Sequence, residues 1–174
     1  PIILTLARLS SQKGHDYLIP TIPHLLPEFP DIYFVWVGDG EQKEFLCQQI
    51  QEYGIAERVL LLGHRCDISR LLQAADLFVF PTYYEGQPFA ILEAMAFNLP
   101  IIASATNGIP EVIKHKTHGL LTRTGDSCDL LEAIRWALRH PRQMEEMATL
   151  AKQRVKEFSE TKMLAQTFEI LQNV

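Results

Sequence analysis

Six short apolar runs set the rhythm of the chain as far as residue 121: Ile2–Ala7, Ile32–Val37, Val59–Leu62, Leu77–Phe80, Pro100–Ala103 and Gly119–Leu121. They are continuous stretches rather than apolar–polar alternations, which is the pattern of parallel strands covered on both faces. Longer helical stretches separate them: His15–Leu26, Glu41–Tyr53, Ile68–Ala75, Pro88–Phe97 and Ile109–His115. Three more, Cys128–Arg139, Pro141–Phe158 and Thr161–Leu171, close the chain. This order predicts an α/β fold with a doubly wound, mostly parallel six-stranded sheet of Rossmann type. A length of 174 residues suits one domain, here assigned to residues 1–158. The remainder, 159–174, reads as an amphipathic helix introduced by Ser159 and packing toward a neighbouring domain. Because the chain begins inside a predicted core strand, Pro1 is expected to be a cut end with a further domain before it.

Composition narrows the function. A formal net charge of -5 argues against general nucleic-acid binding and against a basic membrane-binding patch. No apolar run approaches the ~20 residues of a membrane span. Cys47, Cys66 and Cys128 are scattered, with no C-x-x-C pair, and read as reduced thiols of a cytoplasmic protein. His15, His24, His64, His115, His118 and His140 lack metal-ligand spacing, and no Asp-x-Asp pair presents a divalent cation to a diphosphate. No metal site and no cofactor is expected.

In doubly wound sheets ligands bind outside the carboxyl ends of the strands. The strand exits here carry Arg8 with Lys13-Gly14, then Gly38-Asp39-Gly40, Gly63 to Asp67, Pro81 to Gly86, and Ser104 to Gly108. Arg8 and Lys13 suit a phosphate or diphosphate, Arg by forking two oxygens and Lys as a point charge; two exposed surface cations would look the same. Gly38-Asp39-Gly40 is explained by a tight turn, or by close approach of a ligand to the backbone. Asn107 to Glu111 is sound helix-entry chemistry, or a second helix start facing an anion.

The segment from Glu85 to Phe97 carries most information. Pro88 fits the first turn of a helix, where its missing N–H costs nothing. From there the run is apolar on every side except for Glu93, which predicts a buried helix. A buried carboxylate needs a partner: an arginine, backbone N–H groups or a ligand hydroxyl. At 1.5 Å per residue, Glu93 lies roughly 8 Å along the axis from Pro88, so it need not face Glu85. The N–H groups of Phe89, Ala90 and Ile91 are expected to be free for anionic or hydroxyl oxygens.

Taken in order, Arg8-Leu9 with Lys13-Gly14, Val37 to Gly40, Gly63 to Ile68, Pro81 to Ala96, and Asn107 to Glu111 resemble the group 1 (GT4) glycosyltransferases. The resemblance runs from Leu4 to about Leu171, and the two glutamates with the Glu93-Ala94-Met95-Ala96 ending are its most specific part. It implies the C-terminal, donor-binding half of a GT-B fold and transfer from a nucleotide-diphosphate sugar (UDP-, GDP- or ADP-linked) with retention and without a metal. It implies Arg8, Lys13 and Glu85 as catalytic residues: the cations would neutralise the diphosphate and Glu85 would hold sugar hydroxyls. It implies Gly38, Arg65, Gly86, Pro88, Phe89, Ala90, Ile91, Leu92, Glu93 and Gly108 as donor-binding residues, with Glu93 on the ribose and Arg65 near the base. An N-terminal acceptor domain of the same chain is the implied partner. Cytoplasmic location and peripheral attachment at the inner membrane face are compatible with it. The sequence departs from the family pattern at Ala7-Arg8, where many relatives have Gly-Arg, at Gln87-Pro88, where many have Phe-Gly, and at Asn107-Gly108, where a Gly-Gly pair is usual. No charged group is lost. A non-catalytic nucleotide-sugar-binding module and a GT-B-type nucleotide-sugar epimerase are the competing readings. The fragment alone is expected to bind nucleotide and transfer little or no sugar.

Overall fold

A computed structural model describes residues 1–86 and 88–158. Six strands, β1 (Ile2–Leu6), β2 (Tyr33–Val37), β3 (Val59–Leu61), β4 (Leu77–Phe80), β5 (Ile101–Ser104) and β6 (Leu120–Thr122), form one sheet in the order β3-β2-β1-β4-β5-β6. Every neighbouring pair is parallel. Register is set at the centre, where Leu4 lies opposite Val35 on one side and Phe78 on the other.

The helices are α1 (His15–Leu18), α2 (Ile22–Leu25), α3 (Lys43–Glu52), α4 (Ile68–Ala74), α5 (Phe89–Ala96), α6 (Ile109–Val112), α7 (Ser127–Arg139) and α8 (Pro141–Arg154). One face of the sheet packs Ile3, Phe34, Trp36 and Val79 against α1–α3 and α7. The other packs Leu4, Val35, Phe78 and Ile101 against α4–α6 and Ala151 of α8. Successive residues of each strand therefore feed opposite cores, which is why the strands read as unbroken apolar runs.

The strands fall within a residue of the expected runs, and the helices differ in instructive places. The expected helix His15–Leu26 is broken into α1, a 3-10 turn at Ile19–Thr21, and α2. Pro20 and Pro23 each lack the N–H that would continue the ladder. Pro88 is the N-cap of α5 rather than its first residue. The expected helix Ile109–His115 stops at Val112, because Ile113 is extended and Lys116 turns through φ 60. Helix α8 ends at Arg154, followed by a 3-10 turn to Phe158. The expected helix Thr161–Leu171, and with it the assignment of 159–174, lies outside the described residues.

The largest correction concerns α5. It was expected to be buried all round. It buries Ile91, Ala94 and Met95, but Phe89 is 65% exposed and Glu93 and Ala96 are exposed beside it. These three recur at helical spacing and form one open stripe. A run without polar markers hides which of its sides is open.

Candidate functional site

The sheet order puts β1 beside β4, and the two connections leave to opposite sides there. The switch point is therefore the carboxyl end of these two strands. Leu6 is followed by Arg8 and a 3-10 turn, Ser11–Lys13; Phe80 is followed by Pro81 to Gly86. The two segments are pressed together. Gly14 has φ 68, and a Cβ there would stand 1.6 Å from the Pro81 carbonyl oxygen, so only glycine fits. Tyr83 N–H donates to the Gln12 carbonyl at 2.8 Å, and Gln12 Nε2 donates to the Tyr84 carbonyl at 2.8 Å.

This contact brings together two of the expected site residues. Lys13 Nζ donates to Glu85 Oε2 at 2.5 Å, and both side chains are largely buried, 16% and 13% exposed. The same ammonium sits 5.4 Å from the centre of the Phe80 ring, which adds a cation–π contact. Arg8 does not join the pair. Its side chain is 75% exposed and reaches Glu41 Oε2 at 3.4 Å, on the β2 side of the crevice.

The other expected residues lie on the neighbouring strand exits. Gly38, at φ 137, is required by packing: a Cβ would meet the Ala7 carbonyl oxygen at 2.0 Å. Gly40 is pressed in the same way onto Leu9 O, at 2.4 Å. Gly108 faces Gly86, its Cβ position lying 2.9 Å from the Gly86 carbonyl oxygen, so the loops after β4 and β5 touch. Thr106 Oγ1 adds a bond to the Tyr83 carbonyl at 3.1 Å. Below, Arg154 holds the end of α6 by donating to the Val112 and Glu111 carbonyls, at 2.8 and 2.7 Å. Arg65 forks onto Asp67 through Nε and Nη2 at 2.8 and 2.7 Å, and this hydrogen bonding holds the Asp67 carboxyl below the usual carboxylate range.

At the start of α5 the Ile91 and Leu92 N–H groups both donate to the Pro88 carbonyl, at 2.9 and 3.1 Å. The expectation that the Ile91 N–H is free therefore fails: the first turn closes on its own cap. The Phe89 N–H has no acceptor among the described residues. Glu93 has no hydrogen-bond or ion-pair partner among the described residues, and partial desolvation pushes its carboxyl up. Of the three partners expected for Glu93, an arginine, backbone N–H groups or a ligand hydroxyl, the first two are not found among the described residues, and the expectation that it is buried is corrected: the carboxylate is exposed.

Three residues that sequence reasoning passed over shape the site. Thr82 is fully buried, and its hydroxyl lies within bonding distance of two loop carbonyls. Tyr83 donates to Asp16 Oδ2 at 3.0 Å; burial and that bond push its hydroxyl up to about 12. His15, next to Gly14, is buried edge-on against Trp36, and neither ring nitrogen has a hydrogen-bond partner among the described residues. Burial, with Lys13 adding repulsion, lowers its pKa to about 4 and keeps the ring neutral. The Pro81-Thr82 step offered no more signal than a small polar residue after an apolar strand.

A hollow of about 750 Å³ lies elsewhere. It lies at the amino edge of the sheet, lined by Asp76, Leu77, Leu99, Pro100, Met144 and Glu145 among others. Its charged side chains are the carboxylates of Asp76 and Glu145. The carboxyl edge is by contrast an open shelf with Tyr84, Phe89 and Glu93 exposed on it. Among the described residues no cluster of His, Cys, Asp and Glu could hold a metal ion, and no helix is long and apolar enough to cross a membrane.

Comparison with known proteins bears on the fold and the family. Over 136 residues the chain is 36% identical to the UDP-Gal:alpha-D-GlcNAc-diphosphoundecaprenol alpha-1,3-galactosyltransferase of Escherichia coli, matching 76% of this chain and 35% of that one. It is 29% identical over 150 residues to the alpha-D-kanosaminyltransferase of Streptomyces kanamyceticus, matching 85% of this chain and 39% of the relative. The chain thus spans well under half the length of these relatives. Among solved structures, Anabaena HepE in complex with UDP superposes with a TM-score of 0.91 at 28% identity, over 99% of this chain and 49% of that one. The same protein with UDP-glucose gives 0.89 at 29% identity. The architecture is that of one Rossmann-like half of a GT-B glycosyltransferase. Residues 1–154 match the family described as glycosyl transferases group 1, and the chain belongs to that family.

Proposed function

We propose that this chain is the donor-binding domain of a retaining, metal-independent GT4 glycosyltransferase whose donor is a UDP-linked sugar. One observation carries the reading: the Lys13–Glu85 pair, seated at the switch point where a doubly wound sheet binds its ligand. A cation and a carboxylate side by side match the two ends of a nucleotide-diphosphate sugar. Lys13, with Arg8 from the other side, neutralises the diphosphate as it leaves, so no metal is needed for that charge. Glu85 accepts hydrogen bonds from sugar hydroxyls. The Phe89 N–H, which has no acceptor among the described residues, meets a phosphate oxygen, and Glu93 accepts from the ribose hydroxyls. An exposed carboxylate with no partner among the described residues is ready for that role without first breaking a bond to any of them.

UDP is favoured over GDP and ADP because the E. coli relative is named for UDP-Gal and Anabaena HepE was solved with UDP and with UDP-glucose. The acceptor site is assigned to an N-terminal domain, since HepE is about twice the length matched here. We place the protein in the cytoplasm, with peripheral attachment at the inner membrane face.

Calorimetric titration with UDP, GDP and ADP in EDTA tests the reading. UDP binding without metal, weakened at least tenfold by Arg8→Ala and by Glu93→Ala, is the expected outcome. Failure of all three nucleotides to bind would overturn it.

A further inference from the structure

The Lys13–Glu85 pair joins residues from distant parts of the sequence, and something must hold their loops at this spacing. The Thr82 hydroxyl lies 3.1 Å from the Gln12 carbonyl oxygen and 2.8 Å from the Tyr84 carbonyl oxygen. Gln12 directly precedes Lys13, and Tyr84 directly precedes Glu85. One buried hydroxyl therefore spans the two backbones, each a single residue from a member of the pair. We propose that Thr82 is a positioning residue of the donor site, which sets the distance between Lys13 and Glu85 through this shared hydrogen bond. The proposal rests on the donor-site reading above.

The chemistry of the contact supports a positioning role over simple space-filling. A hydroxyl has one proton to donate, and both neighbours are carbonyls that can only accept, so that proton is shared between the two strands of the contact. Neither carbonyl depends on it alone. The Gln12 carbonyl also accepts from the Tyr83 N–H, and the Tyr84 carbonyl from Gln12 Nε2. Replacing Thr82 by valine keeps the shape and leaves each carbonyl one donor, so it removes the cross-link without leaving an acceptor orphaned. The segments are then held together by the Gln12 bonds and by the fit of Gly14 against Pro81. A diphosphate that must meet Lys13 in a fixed place would feel the difference.

The test is UDP titration in EDTA of the wild-type chain, Thr82→Val, Thr82→Ser, Glu85→Gln, and Thr82→Val combined with Glu85→Gln, each with a melting curve. Thr82→Val is expected to weaken UDP about fivefold, the size of one net hydrogen bond. Thr82→Ser, which keeps the hydroxyl, is expected to restore binding to within about twofold of wild type, inside the spread of such bonds. In the Glu85→Gln background the pair is already uncoupled, and Thr82→Val is expected to cost nothing further, which a purely structural role would not produce. Undiminished UDP binding by a folded Thr82→Val chain would overturn the proposal while leaving the donor site intact. So would an equal loss in the Glu85→Gln background. If Thr82→Val does not fold, Thr82→Cys replaces it: the thiol keeps the size of the serine side chain and is only a weak donor. No weakening there relative to Thr82→Ser would overturn the proposal equally. Absence of UDP binding by the wild-type chain would instead sink the donor-site reading, and the inference with it.

Discussion

Gly14 and His15, adjacent in sequence, show how tightly single residues are constrained beneath the site. Gly14 combines a left-handed φ of 68 with a backbone oxygen 1.6 Å from where a Cβ would be. A left-handed conformation alone costs a non-glycine residue about 1–2 kcal/mol, and the overlap adds to it by forcing Pro81 away. Gly14→Ala is expected to lose at least about 2 kcal/mol in urea unfolding and to weaken UDP binding, because the Lys13 and Glu85 loops separate. An alanine variant as stable as wild type would show that the contact is not close. His15 makes a different prediction. Its folded pKa of about 4 lies below the ordinary value of 6.5, so between these pH values the unfolded chain binds a proton that the folded chain refuses. Its stabilising contribution is complete above about pH 6.5 and is lost progressively as pH falls toward 4. From pH 7 to pH 5 the loss from this group is on the order of 2 kcal/mol. In His15→Phe the fall in urea midpoint over that range is expected to be shallower than in wild type; equal falls would place the pH dependence elsewhere.

At the scale of elements, α7 offers the cleanest test of a local cap. Asp126 accepts from the Asp129 N–H at 2.9 Å and also pairs with Arg123 at 3.0 Å, while the helix buries Leu130, Ile134 and Ala137. Asp126→Ala is expected to cost about 1 kcal/mol, measured as a lower unfolding midpoint at unchanged slope. Asp126→Asn, which still caps, is expected to recover most of it. Elements were also where the sequence was most legible. The strands announced themselves because both of their faces are buried. The break between α1 and α2 was written in Pro20 and Pro23, but the apolar period carried across them. The open side of α5 was not legible, since alanine and phenylalanine mark no boundary between core and shelf. The Lys13–Glu85 pair could not be read from spacing either. It exists because β1 and β4 are neighbours in the sheet, a fact of strand order and not of local sequence. The same holds for Thr82, whose two partners come from segments that only the sheet brings together.

At the scale of the whole molecule, the proposed donor edge is open to solvent and not enclosed. Phe89, Tyr84 and Glu93 are open to solvent beside a pair that is itself nearly buried. Transfer chemistry gains from exclusion of water, and from an acceptor held in line with the donor. Neither is supplied by a shelf. The chain accounts for 49% of Anabaena HepE, so about half of that protein has no counterpart here. The isolated chain is therefore expected to bind UDP, through Lys13 and Arg8, yet to leave a UDP-sugar essentially intact. Following release of UDP from UDP-glucose and UDP-galactose by a coupled assay, with binding measured in parallel, checks this. Turnover by this chain at about 1 s⁻¹ or faster, the ordinary range for complete enzymes, would mean that one half carries the whole active site. Binding without turnover would confine the donor step to this edge and leave the exclusion of water, with the acceptor, to the other half.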